Sequence, residues 1–303
     1  MTAKRKKRRG GYFILLAAAC LGLFAVLYRT EEPRMDASWQ ALDQVELKSS
    51  SAAVLDRESG RVVYTRGDRR RPPASLTKLM TALVTLDSAP DLDATASLSA
   101  QVYGQLVAAN AAMAGILPDE PVSVRDLLYG MLLPSGADAA EALAAFVSGD
   151  EASFVQRMNE RARDLGLEDT CFANAWGMDA PGQYSTAADM ARLLDTALEQ
   201  TTLRTVLTTA EYTAVTAAAH PEGLRFGSSL LESGQDLTLE RGRLLGGKTG
   251  YTTDAGLCLA SFAEIGGREY IVVTMGAPGD HSTPPWHILD AIALYNAIGA
   301  RSG

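Results

Sequence analysis

The hydrophobic pattern of this chain changes type twice, and that limits the fold more than any other feature. Near residue 50 it has the two-residue period of a strand. Through the middle it has the three-to-four-residue period of helices, and beyond Leu239 it returns to strands before one last helix. Ser51 to Asp68 reads as a hairpin, with Ala53, Val54 and Leu55 on one arm and Val62, Val63 and Tyr64 on the other. Glu58-Ser59-Gly60 supplies its turn. After Pro72-Pro73, residues Leu76, Leu79, Met80, Leu83 and Leu86 give a helix with one buried face. Ala94 to Gln200 is Ala-rich and mostly helical. There Ser123-Val124-Arg125-Asp126 is a capping signal for a helix with Leu127, Leu128, Met131 and Leu132 inward. Pro134 stops that helix, and another starts near Asp138 with Leu143, Phe146 and Val147 inward. Leu244–Thr249, Leu257–Phe262 and Tyr270–Met275 read as strands joined by Gly-rich turns, and Pro285 to Ile298 as the last helix.

Strands from both ends with helices between them imply one sheet that is incomplete without both termini. The expected class is α/β (α+β): an antiparallel sheet flanked by helices, with an inserted helical subdomain. The sheet takes residues 49–72 and 240–303, and the insert about 73–239.

The N-terminus is different in kind. Six basic residues, Lys4 to Arg9, precede Tyr12 to Tyr28, a 17-residue stretch without a charge. As a helix that stretch would cross about 25 Å, and Lys/Arg ahead of it holds the N-terminus in the cytoplasm. The Ala17-Ala18-Ala19 site follows only five apolar residues, short of the roughly 7–15 that a cleavable signal needs. The expectation is a cytoplasmic tail (1–11), an uncleaved membrane anchor (12–28), a polar stalk (29–48) and an exported domain (49–303). Cys20 sits where a lipoprotein cysteine could, but Ala17 stands where such a motif usually has Leu. The whole chain carries a net charge of −8 despite that basic run, so the exported part is strongly acidic. Such a body repels phosphate backbones, and nucleic acid is excluded as a partner. Cys171 and Cys258 could pair in an oxidising compartment, although two free thiols are the simpler reading.

Only three histidines occur, none in a zinc-binding pattern. There is no Gly-x-Ser-x-Gly elbow, phosphate loop or dinucleotide fingerprint, and no cluster implies a metal or organic cofactor. A hydrolase built on this chain needs a base other than histidine. Ser75 and Lys78, three apart on a helix, share one face. If Ser75 opens that helix, the positive end of the macrodipole favours an oxyanion there. Together with burial it also pushes Lys78 toward the neutral amine of a general base. Alone, the pair equally fits an N-cap serine beside a solvated lysine. Lys248-Thr249-Gly250 lies in a strand pattern behind Gly246-Gly247. Those glycines clear an edge where an extended peptide can pair, and Lys248 adds a second positive charge. Its bland counterpart is a Gly-rich hairpin with an exposed lysine.

With Ser135-Gly136-Ala137 after the helix stop, these pieces resemble the three-part set of the penicillin-recognising serine enzymes. The surrounding segments are similar to the low-molecular-weight D-alanyl-D-alanine carboxypeptidases. They are Pro73 to Ala82, Asp126 to Gly130 leading into Leu133 to Gly136, Tyr184 to Ala191, and Gly247 to Thr252 with Ala255-Gly256. The resemblance covers roughly Ser51 to Asn296 and implies a β-lactamase/DD-peptidase-like fold. It also implies a peptidoglycan stem peptide ending in D-Ala-D-Ala as substrate, β-lactams as acylating inhibitors, and a place at the bacterial cell membrane. It makes Ser75 the nucleophile, Lys78 its base and Ser135 a proton relay near the leaving amine. Lys248, Thr249, Gly250 and Tyr251 would bind substrate, with the N–H groups of Ser75 and Tyr251 as oxyanion hole.

Two departures stand out. The family usually has Asn where this chain has Ala137, and often an Arg after the last strand where this chain has His281. A methyl cannot donate to a substrate carbonyl or hold Lys78. Two alternatives follow from the same resemblance: a catalytically weak penicillin-binding sensor, or a β-lactamase. The latter lacks its Glu-x-x-Leu-Asn segment between Ala137 and Lys248.

Overall fold

The computed structural model describes residues 37–89, 91–214 and 219–301. The expected tail, anchor and first part of the stalk lie outside the described residues. Among those that are described, no helix is long and apolar enough to cross a membrane.

The hairpin forms as read, from β1 (Ser51–Asp56) and β2 (Arg61–Arg66). Two short antiparallel pairs lie inside the insert: β3 (Thr95–Ala96) with β4 (Val122–Ser123), and β5 (Glu211–Ala214) with β6 (Leu224–Gly227). The C-terminal strands β7 (Arg243–Thr252), β8 (Gly256–Ile265) and β9 (Arg268–Ala277) run longer at both ends than their apolar cores suggest. Together they make a five-stranded antiparallel sheet in the order β2-β1-β9-β8-β7, so the first strand of the fold pairs with the last. The sheet is assembled from both ends of the chain, as the pattern requires.

Alternation along the strands divides the core. Ala53, Leu55, Ala260, Phe262, Ile271 and Val273 point to the face covered by the insert. Ala52, Val54, Leu259, Ala263, Tyr270 and Val272 point to the other. The insert supplies α1 (Lys78–Ser88), α2 (Ala100–Ala108), α3 (Val124–Leu132), α4 (Ala137–Ser148), α5 (Glu151–Asp164), α6 (Ala187–Glu199) and α7 (Thr201–Thr208). Ser99, Ser123, Asp150 and Thr186 cap four of them with side-chain oxygens on backbone N–H groups. The other face carries α8 (Trp286–Arg301). Its Asp290 accepts the N–H groups of Lys48 and Ser49 at 3.0 and 2.6 Å, tying the last helix to the start of β1.

Two expectations need correction. Residues 37–48 are not a bare stalk. Ala37–Gln44 forms a 3₁₀ helix whose Leu42 is fully buried on the α8 face, and Trp39 meets Tyr270 edge-on. The apolar residues Trp39, Leu42 and Val45 recur every third position, a 3₁₀ period that neither a strand nor an α-helix reading detects. Phe146 does not face the core on α4 either. It is 40% exposed while Leu143 is buried.

Candidate active site

Chain direction places the nucleophile segment. Pro73 ends the extended run from the hairpin, and Ala74–Thr77 makes one 3₁₀ turn that leads into α1. Ala74 takes φ 49°, in the left-handed region that side chains disfavour. Ser75 is thereby presented at the front of the helix, half-buried, with Lys78 beneath it. The Lys78 Nζ lies 3.0 Å from the Ser75 Oγ and donates to it. Its other contact is a short bond of 2.5 Å to the carbonyl of Trp176. Lys78 is not a solvated lysine, since it is 1% exposed.

The second wall is the edge strand β7. Gly250 packs so closely on the nucleophile turn that a Cβ there would stand 3.0 Å from the Ser75 nitrogen. Lys248 is fully buried and donates to the Thr249 carbonyl at 2.9 Å. Thr249 faces the cleft, where its hydroxyl is 2.5 Å from that of Ser229. Tyr251 lies beside it, its ring edge-on to His281 at 5.0 Å.

The third wall is the turn between α3 and α4. Ser135 has φ 71°, and its buried hydroxyl has no hydrogen-bond partner among the described residues. An orphaned hydroxyl in a strained backbone is what a site awaiting a ligand shows. Asp138 cannot stand in for an amide at position 137. Its carboxylate is fully buried and occupied by the N–H groups of Ala114, Gly115 and Ile116 at 2.8–3.1 Å.

The three walls enclose a cleft of about 330 Å³ onto which Ser75, Ser135, Thr249, Gly250 and Tyr251 open. Lys78 and Lys248 lie beneath its floor rather than on its surface. All seven residues singled out in the sequence thus come together around one opening. Burial, and then the charge of Lys248, holds the Lys78 ammonium well below the ordinary lysine range. Burial alone brings Lys248 down to about 7. A neutral amine in contact with a hydroxyl can take its proton, and the nearby amide and hydroxyl donors can receive an oxyanion and a carboxylate.

Sequence reasoning missed two parts. The Trp176 carbonyl that anchors Lys78 comes from a turn in which Asn174 Oδ1 accepts the Gly177 N–H at 2.6 Å. The Asn-x-x-Gly spacing announces that turn but not its role. Ser229, which meets Thr249, sits in a stretch with no period and left no signal. Cys171 and Cys258 are both free thiols, and burial pushes the Cys258 thiol up to about 11.

Comparison with known proteins matches residues 38–279 to a family model described as D-alanyl-D-alanine carboxypeptidase. The D-alanyl-D-alanine carboxypeptidase DacF of Bacillus subtilis is 31% identical over 78% of this chain. The D-alanyl-D-alanine carboxypeptidase of Streptomyces sp. (strain K15) is 35% identical over 74% of it. The chain spans 58% of the length of the former and 80% of the latter. The crystal structure of the Streptomyces K15 DD-transpeptidase superposes with a TM-score of 0.73 at 30% identity, covering 84% of this chain and 98% of that one.

Proposed function

This chain belongs to the D-alanyl-D-alanine carboxypeptidase family, and from that premise we propose that it is a serine-type D-Ala-D-Ala carboxypeptidase. It removes the terminal D-alanine of peptidoglycan stem peptides through an acyl-enzyme and is acylated by β-lactams at the same serine. The observation that carries the reading is the 3.0 Å contact between Lys78 Nζ and Ser75 Oγ at the base of the cleft.

In this mechanism the neutral Lys78 amine takes the Ser75 proton along that contact as Oγ attacks the carbonyl between the two D-alanines. The developing oxyanion is met by the N–H groups of Ser75 and Tyr251, and Gly250 keeps their approach clear. Ser135 passes a proton to the leaving amine. Thr249, assisted by Ser229, binds the terminal carboxylate, and Lys248 biases the local field toward that anion. Water then cleaves the ester with Lys78 again as base. The uncharged stretch from Tyr12 to Tyr28, behind its basic run, would anchor the catalytic domain on the outer side of the cell membrane.

The test is labelling of the chain with a fluorescent penicillin beside Ser75→Ala, with D-alanine release from a D-Ala-D-Ala peptide measured in parallel. A stable adduct and D-alanine release, both lost in the variant, are expected. Labelling that survives Ser75→Ala would remove Ser75 from the mechanism.

A further inference from the structure

Behind the helical wall of the cleft lies a second cavity, of about 630 Å³, bordered by α2, α4 and the start of α5. Glu141, Glu151 and Trp176 all reach it. Glu141 stands one helical turn beyond Ala137, on the same face of α4. It is 6% exposed, and its Oε1 has no hydrogen-bond partner among the described residues. Its carboxyl shares the cavity wall with that of Glu151, which acts on it directly. The Oε1 of Glu151 accepts the Ala175 N–H at 3.0 Å, and the next carbonyl along the chain, that of Trp176, receives Lys78. A line of contacts thus runs from Glu141 through Glu151 and the 175–176 backbone to the amine beneath Ser75.

Two carboxyls set side by side on a buried wall hold one proton between them, because the doubly ionised pair repels itself and burial penalises both charges. Burial and then Glu151 push Glu141 up to about 9, while the charge of Lys78 works against that rise. The charged groups around the pair are few. Lys78 faces it from α1, Asp138 lies on the same helix, Lys248 acts on Lys78 from β7, and Asp119 and Asp150 line the cavity.

We propose that Glu141, buried beside Glu151 on the cavity behind the helical wall, is a positioning residue for Lys78: the pair steadies the 175–176 backbone that Lys78 bonds. The inference rests on Lys78 being the base at Ser75. No proton passes from Glu141 to Lys78. Were Glu141 ionised, its field would hold Lys78 as ammonium and remove the base. This support comes from the same helix face where Ala137 has replaced the usual asparagine.

The experiment compares wild type, Glu141→Gln and Glu141→Leu for penicillin acylation rate across pH 6–10, and for melting temperature across the same range. Gln keeps a donor toward Glu151 but cannot ionise. It is expected to acylate within about threefold of wild type at neutral pH, and the ratio of wild-type to Gln rate should fall with a midpoint near 9. Leu, which suits a buried helix position, should lower the acylation rate about tenfold at neutral pH. The stability readout needs no activity. The folded-state value of Glu141 lies above its ordinary 4.5. Its contribution is therefore full below about 4.5 and is lost as pH rises toward about 9, whereas Gln loses nothing. The melting-temperature gap between Gln and wild type should widen over that interval. A rate ratio that stays flat with pH, or a Leu variant as fast as wild type throughout, overturns the proposal. If Leu fails to fold, the Gln profile decides alone. A wild type that forms no adduct at all would instead defeat the functional reading, and the melting-temperature gap would still report on the proton.

Discussion

The strand wall and the helical wall of the cleft face the same opening and are held in place by different physics. On β7, residues 246–252 take their positions from an unbroken antiparallel register with β8, Gly246 opposite Phe262 through Thr252 opposite Gly256. Backbone bonds fix every side chain there, so the Gly-Lys-Thr-Gly order in the sequence is already a geometry. The turn at residues 134–138 has no ladder. It is held by a strained Ser135, by the Ala112 carbonyl on the Ala137 N–H at 2.7 Å, and by the Asp138 carboxylate on three backbone N–H groups some 22–24 residues away. A register tolerates side-chain change, whereas a wall made of long-range polar contacts depends on each one. Strand β7 itself keeps the family pattern; the helical wall carries the Ala137 departure, and His281, beyond β9 and against Tyr251, is the other.

The largest effect should come from forcing the strand wall against the nucleophile. In Gly250→Val the added Cβ would stand 3.0 Å from the Ser75 nitrogen and 3.1 Å from the Ala74 Cβ, before its methyl groups are counted. Valine suits a strand, so the sheet should survive while the serine turn shifts. Acylation by a fluorescent penicillin is expected to fall by about a hundredfold or more, with melting nearly unchanged. A variant that acylates normally would show that Gly250 is not a spacer for the oxyanion site.

What the sequence made legible follows the same division. The hairpin, the three C-terminal strands and the Ser75–Lys78 pair depend on local period and spacing, and all appear where those place them. The 3₁₀ helix at Ala37–Gln44 has a period that strand and α-helix templates do not test. Its burial depends on Tyr64 and Tyr270, which lie 20 and more residues away. The Trp176 carbonyl and the Ser229 hydroxyl join the site only through tertiary packing, and a backbone carbonyl has no residue type to recognise. The carboxyl pair of Glu141 and Glu151 likewise spans two helices, and neither residue's neighbours mark it.

The next effect in size is on stability. Asp138→Ala removes the acceptor of four buried or half-buried N–H groups, those of Ala114, Gly115, Ile116 and Ala139, so the loss should be about 3 kcal/mol, read as a lower denaturation midpoint. Acylation by penicillin should slow as well, because the same carboxylate holds the segment that closes behind Ser135. The matching change on the strand wall, Thr252→Ala, removes the bond to Asp179 and the one accepted from the Ala255 N–H, and should cost less. Equal losses from the two would erase the distinction between the walls.

The smallest effect tests the departure itself. Ala137→Asn returns the amide that the family usually carries, at a position that is fully buried in this chain. A buried amide needs partners, and without them it costs about 1–3 kcal/mol. The partners on offer are Lys78 and the carbonyl of a bound peptide. With the peptide present the amide donates to its carbonyl, and D-alanine release should quicken severalfold, chiefly through a lower KM. In the free protein the same amide is only partly satisfied, so the variant should melt slightly earlier than wild type. If release quickens while Glu141→Leu remains slow, the two groups act on Lys78 separately. If Asn at position 137 restores the rate that Glu141→Leu loses when both changes are combined, then the carboxyl pair has taken over the support of Lys78 that the asparagine gives elsewhere in the family.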